Sequence, residues 1–237
     1  MVELGELREG IMREDLIEFY AGIFKMDNIE VVGIGANLSC LYGVLPNHDK
    51  LIQLSLYEQL IGAKFNRQIQ YVSGGGLTVT IPLIFQNQLP KGINHFRVGE
   101  ALFLGTEPFN NAPLENMETG IFTLYSEIIE LIEKPRVPMG EMTTNVDGHT
   151  TEFDPGMIGK TSYRAIVDMG LLDIDVNHLT PADKKIEIAG GSSDMLVIDL
   201  KENTQNYKAS DLLEFKMDYM GILRILNSKY IEKRVKQ

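Results

Sequence analysis

Up to about residue 105 the chain alternates short apolar runs with segments of helical period, and this alternation limits the fold more than any other feature. The strand-like runs number four, the last three being "IEVVGIGANL", "IQYVSGGG" and "INHFRVG", each with glycine at or near its end. Between them, "DLIEFYAGIF" places Leu16, Ile17, Phe19, Tyr20, Ile23 and Phe24 on one stripe, and Asp15 with Glu18 has capping-box spacing. "NHDKLIQLSLYEQLIGAKF" is a second amphipathic helix with Asn47 as its cap, and a third helical segment surrounds "TIPLIFQNQ". Strands joined by helices of this length predict parallel βα units with right-handed crossovers.

After roughly residue 115 the pattern changes. "IFTLYSEIIELIE", "YRAIVDMG", "IEIAGG", "MLVIDL" and "LLEFKMD" follow at short spacing, separated by turn-rich stretches such as "NVDGHT" and "FDPG". That order predicts a mainly antiparallel β domain. The boundary is expected within residues 106–118, giving a first domain of residues 1–110 and a second of 111–237. Four βα units cannot close an eight-stranded barrel, and an open parallel set leaves two unpaired edges.

Composition excludes several classes. A formal net charge of −11 speaks against a nucleic-acid-binding face, which needs clustered Lys and Arg; the one basic cluster, "KYIEKRVK", reads as a solvated tail. One cysteine, Cys40, excludes an internal disulfide framework, and four scattered histidines lack metal-ligand spacing, so no metal site is expected. No run of about 18 apolar residues is present, and "MVELGELREG" lacks the pattern of a secretory signal. A cytoplasmic protein without membrane or nucleic-acid partners is expected.

Five segments in matching order, "MVELGELREG", "VVGIGANLSCLYG", "YVSGGG", "INHFRVGEALFLG" and "EIIELIEKPRVPMGE", resemble the alanine-racemase-like family, and most of all its ornithine racemase branch. The resemblance implies pyridoxal 5'-phosphate (PLP) as cofactor, a small-molecule amino acid as substrate, and a homodimer. It also implies that the parallel half is the C-terminal part of a TIM-type barrel, about four βα units, followed by the β domain. The lysine that this family joins to PLP ends the first barrel strand, and no motif here replaces it. On that reading the chain corresponds to the C-terminal two thirds of a racemase and is inactive by itself. The alternative is a non-catalytic PLP-binding or association remnant of the same family.

The same resemblance assigns roles. Arg97, in "RVG", falls where an arginine faces the pyridine nitrogen of PLP. A guanidinium keeps its hydrogens at any ordinary pH, so it donates to that nitrogen without protonating it, and the ring is then a weaker electron sink. This suits removal and return of a Cα proton. From the residues alone, Arg97 reads equally well as a strand-end arginine paired with Glu100. Ser73, Gly74, Gly75 and Gly76 read as a phosphate cradle ahead of a helix, with Ser73, Thr78 and Thr80 as candidate hydroxyl donors and Gly99 and Glu100 offering backbone amides. Arg8 corresponds to an arginine that approaches the cofactor's phenolic oxygen and the substrate carboxylate, a role that suits an arginine fork. Asn37 falls beside the ring, Tyr219 toward the phosphate, and Asp194 at the substrate entrance. Racemisation needs a base on each face of Cα, and Leu171 stands where alanine racemase has its tyrosine, so the second base is not named by the sequence.

Overall fold

The computed structural model describes residues 1–108, 112–145, 148 and 150–235, with Leu77 and Thr78 described by backbone alone. The chain divides into two compact units, Met1–Thr119 and Gly120–Gln237. The division falls later than residue 110 because the connecting segment folds back on the first unit. Glu107 N–H donates to Ala112 O, Leu114 N–H donates to Gly105 O, and Leu114 is buried with Ile81 and Ala101.

In the first unit a 3-10 turn, Arg13–Asp15, leads into α1 (Leu16–Ile23), followed by β1 (Gly33–Gly35), α2 (His48–Phe65), β2 (Tyr71–Gly76), α3 (Leu77–Phe85), β3 (His95–Arg97) and α4 (Glu100–Leu104). The strands form a parallel sheet in the order β1-β2-β3, with Gly35 opposite Ser73 and Gly76 opposite Arg97. Among the described residues three strands form where four runs are expected. The N-terminal segment reaches β1 through the bond from Val2 N–H to Gly35 O (2.8 Å), but Glu3 N–H donates to Ile11 O and Ile11 N–H to Met1 O, so the segment turns back on itself.

Gly10 makes that return possible. Its φ is 120°, and a Cβ there would stand 2.8 Å from both Val2 C and Glu3 N. Gly10→Ala therefore combines left-handed strain with a backbone clash, and is expected to cost about 1–3 kcal/mol, read as a fall in the thermal midpoint.

Asn47 caps α2 as expected, its Oδ1 accepting from Lys50 N–H at 2.8 Å. The Asp15–Glu18 box does not form. Asp15 ends the 3-10 turn at φ −91° and ψ −3°, so it is already helical and its side chain makes no capping bond. Of the expected α1 stripe, Leu16 and Tyr20 are buried, whereas Phe19 is 40% exposed. Leu51, Leu54 and Ile61 of α2 pack with Ile34, Val72 and Ile93 to form this unit's core.

The second unit holds β4 (Leu124–Pro135), β5 (Thr161–Val167), β6 (Leu179–Pro181), β7 (Glu187–Gly191), β8 (Leu196–Lys201), β9 (Leu212–Met217) and α5 (Tyr219–Asn227). The strands form one antiparallel sheet in the order β6-β9-β4-β5-β8-β7, whose edges β6 and β7 approach each other, so the sheet nearly closes into a barrel. Alternation along the strands turns Leu124 and Ile128, Leu196 and Ile198, and Leu213 and Phe215 inward. Each such side chain contributes about 1.5–3 kcal/mol when taken from water. Helix α5 is an element that the strand-rich reading missed. Asp218 Oδ1 caps it by accepting from Gly221 N–H at 3.0 Å, and Ile222 and Ile225 bury one face.

Candidate functional site

The parallel strands of the first unit end together, so their C-terminal ends and the loops that follow share one edge of the sheet. That edge collects Arg97 from the end of β3, Asn37 from just beyond β1, and the glycines that end β2. Arg97 Nη2 donates to Asn37 Oδ1 at 2.8 Å and approaches Ala36 O at 3.4 Å. Asn37 is 92% buried, the complement of its 8% exposure. Its Nδ2 has no hydrogen-bond partner among the described residues. A buried amide left half-satisfied costs free energy, and an incoming acceptor would recover it.

The loop Gly5–Gly10 brings Arg8 to the same place. Arg8 Nη1 lies 2.8 Å from Cys40 Sγ, and Arg8 Nη2 lies 3.6 Å from Glu9 Oε1. The same Glu9 oxygen stands 3.8 Å from Arg97 Nη1, so both arginines gather round one carboxylate. Arg8, Arg97 and Asn37, singled out from separate parts of the sequence, thus form one cluster.

The glycine run is the end of β2 itself. Ser73 lies inside the strand, opposite Gly35 and His95, while Gly76 is the N-cap of α3. Gly75 has φ 92°, and a Cβ on it would stand 3.2 Å from Ala36 O, so glycine is what permits this close approach. Among the described residues helix α3 has no side-chain cap, and its first turn has no acidic residue, an arrangement whose leading amides suit an anion. Thr80 is not a free donor: its Oγ1 bonds Gly76 O at 2.9 Å. The side chain of Thr78 lies outside the described residues. Gly99 is the N-cap of α4, and Glu100 is the first residue of that helix.

In the second unit, Tyr219 opens α5 and is half-buried. Asp194 sits in the turn between β7 and β8, its Oδ1 accepting from Ser193 Oγ at 3.1 Å. The segment after β5 is bonded to that turn, with Leu171 N–H donating to Ser192 O and Leu172 N–H to Ser193 O, both at 2.9 Å. Leu171 and Asp194, both tied by resemblance to the substrate side, are therefore neighbours. Leu171 packs against the barrel core.

Sequence reasoning missed Glu6. It is fully buried, and its two oxygens accept from the backbone N–H groups of Ser39 (3.2 Å), Cys40 (2.8 Å), Leu41, Tyr42 (2.8 Å) and Val44 (2.9 Å). Burial pushes its carboxyl up, but the bonds from Tyr42, Cys40, Val44 and Leu41 together outweigh burial and hold its pKa at about 2. Glu6 thereby fastens the loop that carries Cys40 to the loop that carries Arg8 and Glu9.

The chain is 39% identical over 236 residues to the ornithine racemase of Acetoanaerobium sticklandii, covering 99% of this chain and 66% of that protein. It is 34% identical over 233 residues to the lysine racemase of Thermotoga maritima, covering 98% and 64%. It thus spans about two thirds of the length of these relatives. No family model matches. Among solved structures, alanine racemase from Bartonella henselae with covalently bound pyridoxal phosphate superposes with a TM-score of 0.57 at 14% identity, over 93% of this chain and 57% of that one. Agreement in sequence along nearly the whole chain, together with this shared α/β fold, makes the protein a member of the alanine racemase-like family.

Proposed function

We propose that the protein is, or forms the cofactor-cradling part of, a PLP-dependent amino-acid racemase that interconverts L and D forms by removing and returning the Cα proton. The observation that carries this reading is the bond between Arg97 and Asn37 at the end of a parallel sheet, beside the uncapped N-terminus of α3. When bound, PLP supplies an electron sink that acidifies the Cα proton. The residues present fit such a group. Asn37 Nδ2 is a buried donor awaiting an acceptor, and the leading amides of α3 suit a phosphate. Arg97 retains guanidinium hydrogens beyond those given to Asn37 and Ala36, and can direct one at a ring nitrogen without surrendering it. Arg8 can receive a substrate carboxylate.

We also propose that the three-stranded sheet is part of a TIM-type barrel, that the substrate is a diamino acid as the relatives' names suggest, and that the protein works as a homodimer. Tyr125, Ile129 and Leu212 leave apolar surface exposed on the strands β4 and β9, which suits an interface. The test is chiral chromatography of L-ornithine, L-lysine and L-alanine incubated with PLP and the protein joined to the segment that its longer relatives carry. Appearance of the D form of a diamino acid is expected. No PLP-dependent absorbance together with no D form from any of the three overturns the reading.

A further inference from the structure

Glu9 stands out from the other charged groups of the first unit. Its Oε1 lies within ion-pair reach of two arginines that come from opposite ends of the sheet's sequence, Arg8 at 3.6 Å and Arg97 at 3.8 Å. Neither contact is short enough to be a hydrogen bond, so the carboxylate acts on the pair by charge and keeps its own acceptor capacity. Each arginine also has a separate acceptor that is not a carboxylate: Cys40 Sγ for Arg8, and Asn37 Oδ1 for Arg97. Those acceptors orient the two guanidiniums but leave their charges uncompensated. Two cations held this close repel each other, and the anion between them removes that repulsion.

The Gly5–Gly10 loop fixes Glu9 in this place. Glu6 anchors the loop's middle through five backbone bonds, and Gly10 closes its end on Val2 and Glu3. The Glu9 side chain is 39% exposed and the arginines 39% and 45%, so the bridge adds little to folding stability. Its consequence is the potential presented to whatever binds at the edge of the sheet.

We propose that Glu9 is a positioning residue that gathers Arg8 and Arg97 into one pair and halves the pair's net charge toward the bound cofactor. This rests on the reading of the site as a PLP cradle. Without Glu9 the site becomes more positive, which favours the ionised form of any acidic group held there.

Pyridoxine 5'-phosphate is a suitable probe, because it carries the ring, the phosphate and the 3-hydroxyl but has no aldehyde to react with lysines. Bound to the chain, its 3-hydroxyl can be titrated by ultraviolet absorbance. Glu9→Gln is expected to lower that apparent pKa by about half a unit or more, and Glu9→Asp to restore it at least in part. The thermal midpoint should move by no more than roughly 2 °C, which separates this role from a structural one. A probe that binds wild type but titrates identically in Glu9→Gln, or a shift that Glu9→Asp does not reverse, overturns the proposal while leaving the PLP reading intact. A probe that does not bind wild type at all overturns both.

Discussion

Glu6→Ala is expected to unfold the first unit or to lower its thermal midpoint by roughly 10 °C or more, followed by circular dichroism. Five backbone N–H groups, those of Ser39, Cys40, Leu41, Tyr42 and Val44, turn toward this one carboxylate. Alanine leaves these donors without their acceptor in a site closed to solvent. The clamp also holds its surroundings in conformations that they would not choose, since Leu7 stands at φ 55° and Ser39 at φ 55°, both left-handed and neither glycine. Glu6→Gln is nearly the same size and is expected to fold but to recover only part of the lost stability. Oε1 accepts three of the bonds and Oε2 two, so an amide in either orientation sets an NH2 group against at least two donors.

The same carboxylate predicts an acid dependence of definite sign. Its folded pKa, about 2, lies below its ordinary 4.5. A depressed carboxyl contributes stability that is fully present above the ordinary value and lost as pH falls toward the folded one. Wild type should therefore lose stability between pH 4.5 and 2 more steeply than Glu6→Gln does. Parallel slopes for the two proteins through that window would refute the assignment.

Glu6 was invisible in the sequence for a physical reason. The residue sits between Gly5 and Leu7 in a short loop with no period, and the backbone donors that its carboxylate accepts from lie in residues 39–44, more than thirty positions away. Asn37 and Arg97 were singled out, but their bond spans 60 positions and no spacing rule foretells it. What could be read was local. Asn47 announced the start of α2, and the strand-like runs "IFTLYSEIIELIE", "MLVIDL" and "LLEFKMD" announced β4, β8 and β9. The miscounted strand and the missed α5 fall between these cases. Whether the first run joins the sheet as a strand depends on how Gly5 and Gly10 turn it back, and α5 depends on Asp218 serving as a cap at the end of β9. Strand number, like the composition of the site, is decided by contacts made only after the chain has folded.

Arg97→Ala is expected to weaken PLP binding about 10–100-fold, measured by absorbance titration, because a charge-assisted hydrogen bond contributes about 1.5–3 kcal/mol. The loss has two sources. On the proposed reading the ring nitrogen loses its donor; in addition Asn37 loses the bond that orients it, leaving both ends of a buried amide unpaired among the described residues. Arg97→Lys separates them. Lysine keeps the charge but has one nitrogen where arginine has a planar fork, so it cannot hold Asn37 Oδ1 and Ala36 O from one side while addressing a ring from the other. It should recover only a minor part of the affinity. If charge alone were what the site needed, Arg97→Lys would bind PLP as wild type does, and Glu9, whose contact with Arg97 is one of charge, would matter more than Asn37. If the fork is what matters, Asn37→Ala should weaken binding in the same direction as Arg97→Lys, since Asn37 is what Nη2 is aimed at. Unchanged affinity in both Arg97→Ala and Asn37→Ala would remove the sheet edge from the cofactor site altogether.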